Sequence, residues 1–317
     1  MANRIPVGAT IAETYGFAFG GFLSILGIIW FPAVLLAAAG YFVGGHLMPV
    51  FQGSLQNQDP TQILHMLPLF GLFYLAILLL FVMQYVGVTE LALGLRGRRS
   101  VFYFSLGGTF WRVLAAWILV VLILILVEVV LGIAFGIVTA IGALFMGVSG
   151  SGAQHHSALV AGIAGIVVAL AAIVLYGAMI YIATRLSFLI TPAVIAEKKI
   201  AIARSWSLSK GNFWRIVLVW LAVELPMLLL IVGGEFAIIF PTLGQQMIES
   251  MQHPMAPEQA LQTYVQAFAT AGAWAHAYWY ILFPVGLVIS VIYLGLAAGM
   301  HAFAYRALTA GDTAASA

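Results

Sequence analysis

Long, nearly unbroken apolar runs set the pattern of this chain. They cover approximately residues 22–42, 67–95, 113–135, 158–184, 213–234 and 277–303. Each reaches the ~20 residues that a helix needs to cross the hydrocarbon of a bilayer. None shows the ten-residue alternation of a barrel strand. The pattern therefore predicts an all-α, polytopic membrane protein with six transmembrane helices. The third and fourth runs continue, still apolar, to residues 148 and 195. Those two helices are expected to be tilted, broken or extended beyond the bilayer. Stretches bearing Gln, Asn, Ser, Pro and His separate the runs at 44–66, 149–157 and 245–276.

Composition removes the soluble alternatives. Hydrophobic residues make up 64% of the 317 residues and charged residues only 7%, against roughly 25% charged in soluble domains. In hydrocarbon every backbone polar group needs an internal partner, which helices supply. The absence of cysteine excludes thiolate metal sites, redox pairs and disulfides. A net charge of +2 does not point to nucleic acid. The first apolar run starts late, with Glu13 in its leader and Arg4 as the only preceding cation, so it is expected to be a retained span and not a cleaved signal.

The 12 cations give the orientation. Arg4 precedes the first run. Arg96, Arg98, Arg99 and Arg112 lie between the second and third. Arg185, Lys198, Lys199, Arg204, Lys210 and Arg215 lie around the fourth-to-fifth connection, and Arg306 follows the sixth. The other connections carry none. Basic loops are retained in the cytoplasm, so both termini are expected there.

A repeat divides the chain. Gly108-Thr109-Phe110-Trp111-Arg112-Val113, with Trp117 following, matches Gly211-Asn212-Phe213-Trp214-Arg215-Ile216, with Trp220 following. A weaker third copy is Gly20-Gly21-Phe22-Leu23-Ser24-Ile25. Each copy opens an odd-numbered span and follows a semi-apolar segment. This spacing predicts three hairpin units, about 5–95, 96–197 and 198–308, within one transmembrane domain. Each unit is expected to begin with a cytoplasmic interfacial segment, and 309–317 to form a disordered tail. Units in one orientation would be related by an axis along the membrane normal.

The stretch 192–226, with Pro192-Ala193-Val194-Ile195 and Ala203-Arg204-Ser205-Trp206-Ser207-Leu208-Ser209-Lys210-Gly211-Asn212-Phe213-Trp214-Arg215-Ile216, resembles the YciC-like inner-membrane proteins. It also resembles the membrane domain that precedes the catalytic barrel of some bacterial glycerophosphodiester phosphodiesterases. The likeness is close over about 35 residues and otherwise extends only to the six-span outline. It implies a bacterial inner membrane and a lipid or envelope role. The catalytic barrel has no counterpart in this chain, so the phosphodiesterase activity is not implied.

Acids within apolar runs are the first candidates for chemistry, because a charge in hydrocarbon is costly. Glu128 falls ~27 Å and Glu224 ~16 Å along their helices from the Phe-Trp-Arg entry, at ~1.5 Å per residue. Pro226 follows Glu224 and should free a backbone carbonyl nearby. Glu235 and Glu90 lie near opposite ends of their spans. These acids suit a proton or ion relay, or equally carboxyls hydrogen-bonded to neighbouring helices. His46, His65, His155, His156, His253 and His276 fall on the outer side and His301 near the cytoplasm, without a His-x-x-x-His spacing, so no metal or other cofactor is expected. Nucleophile-elbow, phosphate-loop and zinc-protease motifs are missing.

Cations interleaved with aromatics make a second candidate. Lys198, Lys199, Arg204, Trp206, Lys210, Trp214 and Arg215, together with Trp111 and Arg112 of the other copy, suit contact with anionic lipid headgroups. Plain retention of positive charge inside explains the cations equally well. Three functional readings follow. The first is a non-enzymatic membrane protein with a lipid- or envelope-related role, or a subunit of a membrane assembly. The second is a proton- or ion-coupled transporter using Glu224 and Glu128. The third is a lipid-modifying enzyme. The expected partners are membrane lipids and other membrane proteins.

Overall fold

The computed structural model describes residues 4–43, 60–97, 102–148, 154–252 and 277–314, with single positions at 45, 50, 53, 270, 272 and 273. Inside the helices, the side chains of 60, 62, 63, 145–148, 154–161, 235–243, 245–252 and 311–314 fall outside that description. The described residues are helical, with no strand among them. In chain order the helices are α1 (Val7–Gly20), α2 (Phe22–Phe42), α3 (Pro60–Ala92), α4 (Gly108–Val148), α5 (Gln154–Ser187), α6 (Ile190–Glu197), α7 (Ile202–Leu208), α8 (Phe213–Gln252) and α9 (Trp279–Ala314). Six spans are long and apolar enough to cross a membrane: α2, α3, α4, α5 continued by α6, α8 and α9. The protein is an all-α polytopic membrane protein.

Helix lengths depart from the apolar runs for local reasons. α4 carries its apolar sequence unbroken to Val148 and α8 runs on to Gln252. At ~1.5 Å per residue both come to about 60 Å, twice the hydrocarbon thickness. The fourth span breaks instead. Pro192 offers no N–H to the carbonyl of Phe188, and its ring crowds that carbonyl, so the helix stops at Ser187 and restarts as α6. α9 continues past the sixth apolar run. Leu308 is buried and the Thr309 hydroxyl donates to the Tyr305 carbonyl, carrying α9 to Ala314.

The hairpins follow one another in a ring. The second helix of each packs on the first helix of the next: α3 on α4, α5 on α8, and α9 on α2. The segment that leads into each hairpin lies on the preceding one. α1 lies along α9 and α8. Tyr103, with Phe102 and Phe104 beside it, lies against α2 and α3, where the Phe31 and Phe102 ring centroids are 4.6 Å apart. α7 lies against α5.

The three hairpin entries also share a burial register. Three, six and ten residues beyond Phe22, Phe110 and Phe213, every position is buried: Ile25, Ile28, Pro32; Val113, Ala116, Val120; Ile216, Val219, Val223. The weak third copy of the motif thus has the same inward face as the two strong ones.

The lead-in segments are not uniform. Residues 102–106 are irregular, not helical. Their aromatics fill notches in the first hairpin, and the Tyr103 ring occupies the space where Gly87 lacks a side chain. α1 packs one face into the bundle and leaves the other, with Ala12, Glu13 and Phe19, exposed. Thr10, Thr14 and Ala18, four residues apart, form a buried stripe. A side chain at Gly295 would meet Ala18 and Ile25, and one at Gly299 would meet Phe17. The small pair Gly295/Gly299 therefore admits α1 against α9. At Gly132 and Gly136 an added Cβ would meet no described atom within 4 Å.

Candidate functional site

Two polar clusters tie the basic ends of the helices together. The first centres on Arg185, which is buried. It donates to the Trp206 carbonyl at 2.6 Å, the Tyr181 hydroxyl at 2.9 Å and the Ser209 hydroxyl at 3.3 Å, and its guanidinium stacks 3.9 Å from the Trp206 ring. Ser205 returns bonds to the Arg185 and Leu186 carbonyls, which the end of α5 leaves open. The second cluster is at the repeated motif. The Ile5 N–H donates to Asn212 Oδ1 at 3.1 Å, and Arg215 donates to the Ile5 carbonyl at 2.8 Å. Gly211 precedes it with φ 76°, a left-handed turn that suits glycine. The Asn and Arg of the motif thus clip the start of the first hairpin unit to the third.

Several headgroup candidates are engaged within the protein. Arg204 and Lys199 both pair with Glu197, at 3.0 and 3.1 Å. Trp206 lies under Arg185, and Arg215 is on Ile5. Lys198, Lys210, Arg112, Trp111 and Trp214 remain exposed around the basic end.

The intramembrane acids separate. Glu90 is ion-paired with Arg96 at 2.9 Å, and Arg96 in turn stacks 4.2 Å from the Tyr103 ring. Burial and the nearby Glu90 push the Tyr103 hydroxyl up to about 12. Glu128 faces outward from α4 and lines neither of the two cavities described below. The side chain of Glu235 lies outside the described residues. The Glu224 cavity therefore does not bring Glu224 and Glu128 together.

Glu224 lines a cavity of about 880 Å³. All three hairpins contribute to its wall: Phe81 and Tyr85 from the first; Trp117, Thr184 and Thr191 from the second; Trp220, Glu224, Tyr293 and His301 from the third. Most of the remaining wall is aliphatic. Several polar groups are already satisfied. The Trp117 indole donates to Thr191 Oγ1 at 2.9 Å, and the Tyr85 hydroxyl shares a hydrogen bond with His301 Nδ1, whose ring also lies edge-on to Phe188. Glu224 makes no hydrogen bond to a described residue, and it lies within electrostatic range of Tyr85 and Tyr293.

The carbonyl freed by Pro226 is real and has a partner. Pro226 cannot bond the Ala222 carbonyl, and the Tyr15 hydroxyl donates to that carbonyl at 3.0 Å. The same proline that lies beside Glu224 thus anchors α1 in the bundle.

Tyr85, Tyr293 and Thr191 were not legible as site residues. His301 was visible as a histidine inside an apolar run, yet it was assigned only to the basic side. Among the described residues no group of three or more metal-ligating side chains converges. His65 is exposed, and the other outer histidines lie outside the described side chains. No family model, curated protein or solved structure matches the chain.

Proposed function

We propose that the protein is a non-enzymatic membrane protein that holds an amphipathic, lipid-like molecule in the cavity between its three hairpin units. The cavity carries the reading. Its ~880 Å³ falls in the range of small-molecule sites, which are mostly apolar with a few placed polar groups. An acyl or similar chain suits the aliphatic wall, and a hydroxyl or amine of the same molecule suits Glu224. The ring of hairpins, their common burial register and the repeated motif support three related units around one axis. The basic end would face the cytoplasm, where Trp111, Trp214, Lys198 and Lys210 would contact anionic headgroups. The likeness of residues 192–226 to the YciC-like proteins supports a bacterial inner membrane.

The test is purification in lipid nanodiscs with native mass spectrometry. Wild type is expected to retain a bound lipid-sized molecule, and Ala183→Phe, which puts a ring into the cavity, to lose it. Equal retention by both would refute the reading.

A second reading, solute or ion transport, is favoured by one observation: a carboxyl on the cavity wall without a hydrogen-bond partner among the described residues. Proteoliposome flux that Glu224→Gln abolishes would establish it, and absence of flux would leave binding alone.

A further inference from the structure

A separate cleft of about 550 Å³ lies between α2 and α9, with Gln84 of α3 on its wall. Adjacent residues of α3 serve the two spaces. Tyr85 points into the cavity, while Gln84, one residue and ~100° around the helix, lines the cleft. Gln84 is only 4% exposed, and its side-chain amide bonds to no described residue. Half-buried Ser290 stands on the same wall, also without a side-chain bond to a described residue. Apart from Phe283, Tyr41 and Trp279, the rest of the lining is small or aliphatic, including Ala37 and Gly286. Tyr41 and Trp279, with ring centroids 5.6 Å apart, stand farther along α2 and α9.

A buried amide without a partner is unfavourable, and a partner that enters from the membrane removes that cost. Beside Gln84 and Ser290 the cleft offers one amide that both donates and accepts and one hydroxyl, with the Tyr41 hydroxyl and Trp279 indole N–H farther along, and no charge. A carboxylate or phosphate would be desolvated there without a cation. We propose that the α2–α9 cleft binds a neutral, membrane-dissolved molecule through a single carbonyl or hydroxyl oxygen held by Gln84 and Ser290, with its apolar body along Ala37 and Gly286. This site is distinct from the Glu224 cavity and does not depend on its occupant.

Two sources carry that chemistry, neutral acyl lipids and isoprenoid alcohols. The experiment uses the full chain in nanodiscs with two photoreactive, alkyne-tagged probes, a diacylglycerol and a long-chain prenol. Labelled peptides are mapped by mass spectrometry. At least one probe should label α2 and α9 beside the cleft, and its untagged parent should compete. Labelling by one probe alone names the source, and labelling by both shows that the shared oxygen is what is recognised. Gln84→Leu should cut cleft labelling roughly tenfold, the loss expected for one buried hydrogen bond. Gly286→Phe should abolish it. An added Cβ at Gly286 meets nothing within 4 Å, so this variant fills the cleft without disturbing the helix and serves as the second probe of the site. The absence of cleft labelling, or labelling that either variant leaves undiminished, overturns the proposal.

Discussion

The two ends of this molecule are built differently. Among the described residues, all the buried hydrophobic side chains except Val43 and Met66 lie between the basic end and roughly the middle of the spans. The Arg185 cluster, the Asn212–Arg215 clip and the Glu90–Arg96 and Glu197 ion pairs lie there too. Beyond the middle, the described parts of α4 and α5 present Ile, Leu and Val outward. Lipid is as apolar as leucine, so exposure of those side chains costs nothing and packing them gains little. Among the described residues, order therefore comes from close backbone approach and polar bonds at the basic end, while the outward wall of α4 and α5 faces lipid.

The largest test of that contrast is Arg185. Arg185→Met removes the guanidinium's bonds to the Trp206 carbonyl and the Tyr181 and Ser209 hydroxyls, leaving only the Ser209 hydroxyl on the Trp206 carbonyl, and it should cost about 3 kcal/mol in detergent unfolding. Leu126→Ala, on the lipid-facing wall of α4, should stay within about 0.5 kcal/mol. Comparable losses at the two sites would erase the distinction.

Glycines give the next comparison. Gly295→Val forces a side chain against the Ala18 backbone and should destabilise by about 1–3 kcal/mol. Gly132→Ala meets no neighbour and should be neutral or, through helix propensity, up to about 1 kcal/mol stabilising. A destabilising Gly132→Ala would reveal packing on the far side of α4 that the single chain lacks.

A smaller effect concerns the anchor of α1. Tyr15→Phe orphans the Ala222 carbonyl and should cost about 1–2 kcal/mol. In a Pro226→Ala background the restored N–H can take that carbonyl, so the cost of Tyr15→Phe should fall toward zero. A double-mutant cycle measures the difference, and additive losses would dismiss the link.

The smallest concerns Tyr103. With its hydroxyl raised above the ordinary value near 10 to about 12, its contribution to stability is complete below pH 10 and is lost as pH climbs through 12. The difference in phenolate absorbance between wild type and Tyr103→Phe should show one group titrating near 12. A midpoint near 10 would mean that Tyr103 is not seated against Gly87.

The spans were readable because hydrocarbon imposes a length and forbids charge, so six apolar runs became six spanning helices. One internal feature was readable for the same kind of reason: a proline must free a carbonyl. What took the freed carbonyl was not readable, because Tyr15 is 207 residues away. Glu224 stood out by depth and its proline neighbour. Tyr85, Gln84 and Thr191 look like ordinary polar residues in sequence, and only the crossing of α3, α6 and α9 brings them to cavity walls. Arg185 counted as one more orientation charge because neither burial nor stacking on Trp206 leaves a spacing signal.

The most direct test of the central claim is a cryo-electron microscopy structure in nanodiscs made from the native membrane. Elongated non-protein density is expected alongside Glu224 and Tyr293 between the three hairpins, and it should be lost in Ala183→Phe. A cavity closed by inward movement of α4 and α5, with no such density, would contradict the account.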